Sequence, residues 1–179
     1  MPIMVVGGGI MGALTALQLA RAGASVFLIE RQYVGRESSW AGGGIVSPLY
    51  PWRYSSAVTA LAHWSQDFYP RLAEQLLVQT GIDPQVHATG LYWLDLEDEN
   101  VALEWARTRG YPLAPVEMTQ VRESVPSLGE GFTRALHMPD LANVRNPRLV
   151  KALRAALLQL SNVQLEENCP VTGLIVEGV

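Results

Sequence analysis

A short apolar run over 2–6 ends in three consecutive glycines, and from Ile10 the apolar residues shift to helical spacing, with Ile10, Leu14, Leu17 and Ala20 on one side. The pattern predicts a strand, a glycine turn and a helix over 10–22. Gly23 stops that helix as a C-terminal glycine cap does, and 25–29 reads as a second apolar strand ending on Glu30. The next stretch, 35–45, is glycine-rich rather than helical, and a Pro/Tyr/Trp segment follows at 47–54. Helical spacing returns over 57–79 (Leu61, Trp64, Phe68, Leu72, Leu76), with Pro70 expected to kink or divide the helix and 81–84 to end it.

From residue 86 the texture is that of strands, clearest at 90–94 and 133–138. They flank a helix at 97–109 with acids in its first turn and arginines in its last, as the helix dipole favours. Asn146-Pro147 offers an N-cap and a first-turn proline for a helix to Leu160, with Leu149, Val150, Leu153, Leu157 and Leu160 on one face. Strands at 163–165 and 171–176 then return to the first domain. The expectation is an α/β protein: a Rossmann-like domain with a βαβ start and a mostly parallel sheet, carrying an inserted α+β segment. Its parts are 1–85, 86–144 and 145–179.

Composition acts mainly by exclusion. A hydrophobic share of 49% against 17% charged residues is that of a packed globular chain. The net charge of -4, with basic residues scattered, leaves no footprint for a nucleic-acid backbone. The single Cys169 excludes an internal disulfide framework and a multi-cysteine metal site, and fits a reducing, cytoplasmic setting. Before a proline and among apolar neighbours, it reads as a small buried hydrophobe rather than a nucleophile. The apolar N-terminus lacks the basic region of a signal peptide, so no cleavage is expected. No run approaches the ~18 apolar residues of a spanning helix. His63, His87 and His137 share no metal-ligand spacing, so no metal is expected. Trp64, Trp93 and Trp105 read as packing, while Trp40 and Trp52 fall in the glycine-rich loop and its sequel. Asp95 to Glu99 reads as a turn and a helix start, and Arg53 and Arg145 as surface arginines.

The chemistry-bearing feature is Gly7-x-Gly9-x-x-Gly12. A strand before it and a helix after it bring free amide groups and the positive end of a helix dipole to one point, where a pyrophosphate can sit. An acid at the end of the second strand, here Glu30, accepts hydrogen bonds from ribose hydroxyls and repels a 2'-phosphate. That disfavours NADP and leaves FAD or NAD. The small residues of 35–45 favour FAD, because they let backbone lie against a large flat ring and place Ser38 and Ser39 near phosphate oxygens.

GGGIMG at 7–12, ER at 30–31, SSWAGGGIVSPLYPWRY at 38–54 and NVRNPRLVKAL at 143–153 resemble the D-amino-acid-oxidase superfamily of flavoproteins. Within it the likeness is to the glycine oxidase branch associated with thiamine synthesis. The resemblance implies that Gly7, Gly9, Ile10, Met11 and Gly12 meet the pyrophosphate of FAD and that Glu30 and Arg31 meet the adenosine. Ser38, Ser39, Gly43, Gly44 and Ile45 would line the flavin side, and the backbone of Val171 would contact the adenine. The implied activity is oxidation of the amine of glycine or a small amino acid to an imine and oxo acid with peroxide release. Alternatives are a D-amino-acid dehydrogenase or sarcosine-oxidase-like enzyme, a non-catalytic FAD-binding fragment and, outside the family, an NAD dehydrogenase. The family's substrate-anchoring arginine, active-site tyrosine and last glycine loop correspond to positions beyond Val179, so no catalytic residue is assigned. The chain is read as an N-terminal portion, expected to self-associate or to pair with a C-terminal half.

Overall fold

A computed structural model describes residues 1–175. In chain order the elements are β1 (Ile3–Val6), α1 (Ile10–Arg21), β2 (Val26–Ile29), α2 (Ser38–Ala41), a 3-10 turn (Pro51–Arg53), α3 (Ser56–Thr80), β3 (His87–Ala88) and β4 (Leu91–Leu94). There follow α4 (Glu99–Arg109), β5 (Ala114–Val116), α5 (Met118–Ser124), β6 (Ala135–Met138), β7 (Ala142–Asn143), α6 (Asn146–Leu158) and β8 (Val163–Glu166). Two compact units result. Residues 1–44, 70–85 and from 144 on make the first, and 45–69 with 86–143 make the second. Segment 45–69, grouped with the first domain in the division by sequence, therefore packs with the second.

The first unit is built on a parallel sheet in the order β1-β2-β8, with Ile3 opposite Val26 and Val26 opposite Val163. Helices α1 and α6 pack on each other, α1 also against β1 and β2 and α6 against β8. Leu17 and Leu28 are fully buried with Leu149, Leu153 and Leu157 of α6, and each such side chain contributes roughly 1.5–3 kcal/mol. Asn162 donates from Nδ2 to the carbonyls of Ala20 and Ala24, both at 2.8 Å, which ties the start of β8 to the end of α1. The Gly23 amide closes α1 on the Ala20 carbonyl. On its outer side β1 has no strand partner among the described residues, and Ile3, Met4 and Val6 are exposed.

The second unit has an antiparallel sheet in the order β4-β6-β5 and a small ladder of β3 with β7. Trp93, Leu96, Ala102, Ala106, Leu113, Leu136, Met138 and Leu141 form its core, with Tyr50, Trp52, Trp105 and Tyr111 packed against it half-buried. The Asp98 carboxylate accepts from Arg53 Nε at 2.8 Å, from Arg53 Nη2 at 2.7 Å and from Trp52 Nε1 at 2.8 Å, pinning the 3-10 turn to the start of α4.

Several expectations change. Helix α3 is continuous through Pro70. The proline removes one rung of the ladder, but the buried Leu72 and Leu76 beyond it hold the helix in register, and at Pro70 the chain passes from the second unit to the first. Asn146 is not the N-cap of α6. Arg145 holds that position, and Asn146 Nδ2 donates at 2.8 Å to the carbonyl of Gly42 on the glycine-rich stretch. No strand forms over 171–175, and Val176 lies outside the described residues. β5 carries Pro115, which is tolerated because β5 is an edge strand.

The Arg53 hydrogen bond, ahead of that from Trp52, pulls the Asp98 carboxyl from 3.8 to about 2. A depressed folded-state value stabilises the fold above the unfolded value, and that contribution fades as pH falls through the folded one. The stability difference between the protein and Asp98→Asn should therefore be constant near neutrality and shrink between 3.8 and about 2. Urea titrations followed by tryptophan fluorescence will measure it, and a gap unchanged across that window would contradict the pairing.

Candidate functional site

The chain leaves β1 at Gly7 and enters α1 after Gly9, which caps the helix with no side-chain hydrogen bond. The first turn of α1 holds no acid, and its amide groups have no partners within the helix. The turn is tight. A Cβ on Gly12 would stand 1.9 Å from the Gly7 carbonyl oxygen, so only glycine fits there.

Glu30, just past β2, is 8% exposed and reaches back to this turn. Its Oε2 accepts the amide of Gly8 at 2.6 Å and its Oε1 that of Gln32 at 2.8 Å. An ionised carboxylate offers about four lone-pair sites, so it keeps acceptor capacity for a sugar's hydroxyls while it holds the turn. Arg31 lies beside it, exposed and ion-paired with Glu37. The chain after β8 runs alongside, with the amides of Asn168 and Cys169 bonded to the carbonyls of Gln32 and Glu30 at 2.8 and 3.0 Å. Cys169 is itself exposed, not buried as expected, because the chain here passes over the surface, and Val171 follows two residues later, exposed at 47%.

Ser38 and Ser39 open α2, and Ser39 Oγ accepts the Ile10 amide at 2.8 Å, so its own hydroxyl proton remains to be donated. The Ile10 amide, expected to face a phosphate, is thus already bonded to this hydroxyl. Gly43 has open space around it. Gly44 has φ +75°, and a Cβ there would lie 2.1 Å from the Val144 carbonyl oxygen, whose residue's amide in turn bonds the Gly44 carbonyl at 2.8 Å. Ile45 falls in the second unit, exposed and bridged to Asn143. The first unit thus brings together the pyrophosphate and adenosine candidates and Ser38 to Gly44, whereas Ile45 is positioned by the other unit. Met11 is exposed at the helix start.

Other residues that build this site were not expected from sequence. Gly8 supplies the amide that Glu30 grips, and the Gly35 amide bonds the Gly8 carbonyl at 2.9 Å. Arg154 on α6 makes a two-pronged pair with Glu167 at 2.9 and 2.6 Å, and Glu167 Oε1 also accepts the Val34 amide at 2.9 Å. The Arg154 hydrogen bonds hold the Glu167 carboxyl below its usual range. No local pattern announces a carboxylate that acts on a loop 133 residues earlier. Among the described residues no group of three or more His, Cys, Asp or Glu side chains could hold a metal ion, and no helix is long and apolar enough to cross a membrane.

A parallel sheet with a glycine turn at its carboxyl edge and an acid ending the second strand places the chain in the Rossmann-like α/β class. The family model DAO, FAD dependent oxidoreductase, matches residues 2–179, and the chain belongs to that family. It is 61% identical over 175 residues to a glycine oxidase of Pseudomonas putida, covering 98% of this chain and 48% of that protein. It is 58% identical over 176 residues to a glycine oxidase of Pseudomonas aeruginosa, with the same coverage. The crystal structure of a glycine oxidase from Bacillus cereus superposes with a TM-score of 0.86 at 28% identity, over 98% of this chain and 48% of that one. The chain spans about half the length of the curated relatives it matches.

Gly12→Ala forces the Gly7 carbonyl out of the turn, and overpacking of this kind costs about 1–3 kcal/mol. A lowered urea midpoint by circular dichroism is expected, and an unchanged one would refute the close approach.

Proposed function

We propose that the first unit holds the ADP half of FAD, with Gly7, Gly9, Met11 and Gly12 around the pyrophosphate and Ile10 meeting it by way of Ser39. Glu30 and Arg31 face the adenosine, with Val171 at the adenine, and Ser38, Ser39, Gly43, Gly44 and Ile45 serve the flavin side. The observation that carries this reading is the Glu30 carboxylate, buried and held by two amides with lone pairs to spare. The residues fit the group: a helix start free of acids, glycines where a Cβ would obstruct, and a serine hydroxyl that accepts the Ile10 amide with its own proton available. The same carboxylate disfavours a 2'-phosphate.

The whole protein is proposed to oxidise glycine or another small amino acid in a thiamine-synthesis setting, as the family resemblance implies, and to do so in the cytoplasm, which the single cysteine favours. Bound FAD would supply hydride acceptance from the amino acid's α-carbon, leaving an imine that hydrolyses to the oxo acid, and its reoxidation by oxygen would release peroxide. This chain's residues bind and orient. Glu30 fixes the sugar, the start of α1 neutralises the diphosphate, and the Asn146 to Gly42 hydrogen bond fixes the glycine-rich stretch. A second reading, a cofactor-binding portion that turns over only with a C-terminal half, is favoured by the half-length match and by the open, apolar outer edge of β1.

Titrating the chain with FAD should perturb the flavin absorption bands and quench flavin fluorescence, whereas NAD should bring no change. Glu30→Ala should weaken binding by about 1.5–3 kcal/mol, roughly ten- to a hundredfold in Kd. Absence of any flavin uptake, or tighter uptake of NAD, would overturn the proposal. The β1 edge predicts self-association in sedimentation velocity, relieved by Met4→Lys. A strictly monomeric chain at high concentration would count against it.

A further inference from the structure

Aromatic rings of the second unit form an unbroken series. Ring centroids lie 5.8 Å apart from Tyr50 to Trp52, 6.3 Å from Trp52 to Trp105 and 4.6 Å from Trp105 to Tyr111, the last pair nearly parallel at 12°. His63 meets the Tyr111 ring edge-on at 6.0 Å. Rings at such spacings are in contact, close enough for rapid single-electron exchange between neighbours.

The polar groups along the series are graded. The Arg53 guanidinium lies 4.2 Å over the Tyr50 ring, and its charge opposes oxidation there. Trp52 donates its indole N–H to the Asp98 carboxylate at 2.8 Å, which stabilises positive charge on that indole. At the far end the Tyr111 hydroxyl stands 3.3 Å from His63 Nδ1. Burial, ahead of its charged neighbours, makes the Tyr111 phenol a weaker acid than an ordinary tyrosine, so the resting side chain is neutral and its oxidation must expel a proton. An imidazole within reach of that proton makes Tyr111 the most easily oxidised member. His63 and Tyr111 line a cleft of about 560 Å³ with Arg109 and Asp140, through which a small solute can approach.

The geometry points to a one-electron relay in which an oxidising equivalent arriving at Trp52 passes through Trp105 and comes to rest on Tyr111, with His63 taking the proton. Trp52 gives one electron to a one-electron oxidant such as an oxygen-centred radical, Trp105 refills Trp52, and Tyr111 refills Trp105 while its O–H bond breaks and the proton moves to Nδ1. A soluble one-electron donor of the ascorbate class then reduces the tyrosyl radical, and the proton returns from His63. The relay drains oxidative damage from the aromatic core to the cleft. It stands whether or not the first unit takes FAD.

The test uses photogenerated tris(bipyridyl)ruthenium(III) as oxidant, a nitroso spin trap and peptide mapping of the adducts. Tyr111 should collect the trap in the unaltered chain. Trp105→Phe should lower that labelling severalfold and leave the adduct on Trp52, and Tyr111→Phe should leave it on Trp105. His63→Gln should weaken the tyrosyl signal in freeze-quenched electron paramagnetic resonance. Circular dichroism checks each fold, and Trp52→Phe gives the second arm if the Trp105 variant does not fold. Labelling of Tyr111 that is absent, or that is unchanged in both tryptophan variants, overturns the relay.

Discussion

The hydrogen bond from the Gly8 amide to the buried Glu30 carboxylate is the contact on which the first unit's site depends. It joins residues 22 apart in sequence, at 2.6 Å, and it is charge-assisted in a place shielded from water. One carboxylate thereby fixes the glycine turn at the end of β1 relative to the end of β2. Other bonds are arranged around that junction: Gly35 to Gly8, Val34 to Glu167, Glu167 to Arg154 on α6, and Cys169 to the Glu30 carbonyl. Most of them satisfy backbone groups that a loop buried this deeply would otherwise leave unpaired. The result is a helix start with no acid in its first turn, its Ile10 amide taken by Ser39 Oγ, beside a carboxylate with lone pairs to spare.

The second unit solves a different problem. Its sheet is antiparallel and its core is rich in large aromatic rings, with indole N–H groups that need acceptors when half-buried. Trp52 finds the Asp98 carboxylate and Trp93 the Leu49 carbonyl at 2.9 Å. These bonds fix the Pro-Leu-Tyr-Pro-Trp-Arg run against α4 and β4, so a segment with little regular structure of its own is held by side chains. That is also why segment 45–69 belongs with this unit: its anchors are tryptophans and an aspartate of the insertion, not the parallel sheet.

Legibility in the sequence followed the range of the interaction. β1, α1 and β2 could be read within a residue or two, because strand, glycine turn, helical spacing and cap are all written in neighbouring positions. The long helices α3, α4 and α6 were legible for the same reason. The two-residue strands β3 and β7 and the seven-residue α5 were not, since elements that short carry no period. Pro70 does not divide α3, because burial on its C-terminal side outweighs the lost rung.

Taken alone, then, the sequence determined the α/β class, the βαβ start, the acid on residue 30 and the glycines where no side chain can stand, since each follows from spacing and steric limits over a few residues. Only the tertiary structure decided that Asn146 reaches across to Gly42 instead of capping its own helix, and that Ser39 meets the Ile10 amide. It alone paired Glu167 with Arg154 beneath the loop at Val34 and lined up Trp52, Trp105 and Tyr111. Those partners lie far apart along the chain, and the free energy that joins them comes from burial and shared hydrogen bonds, which exist only once the sheet and helices have packed.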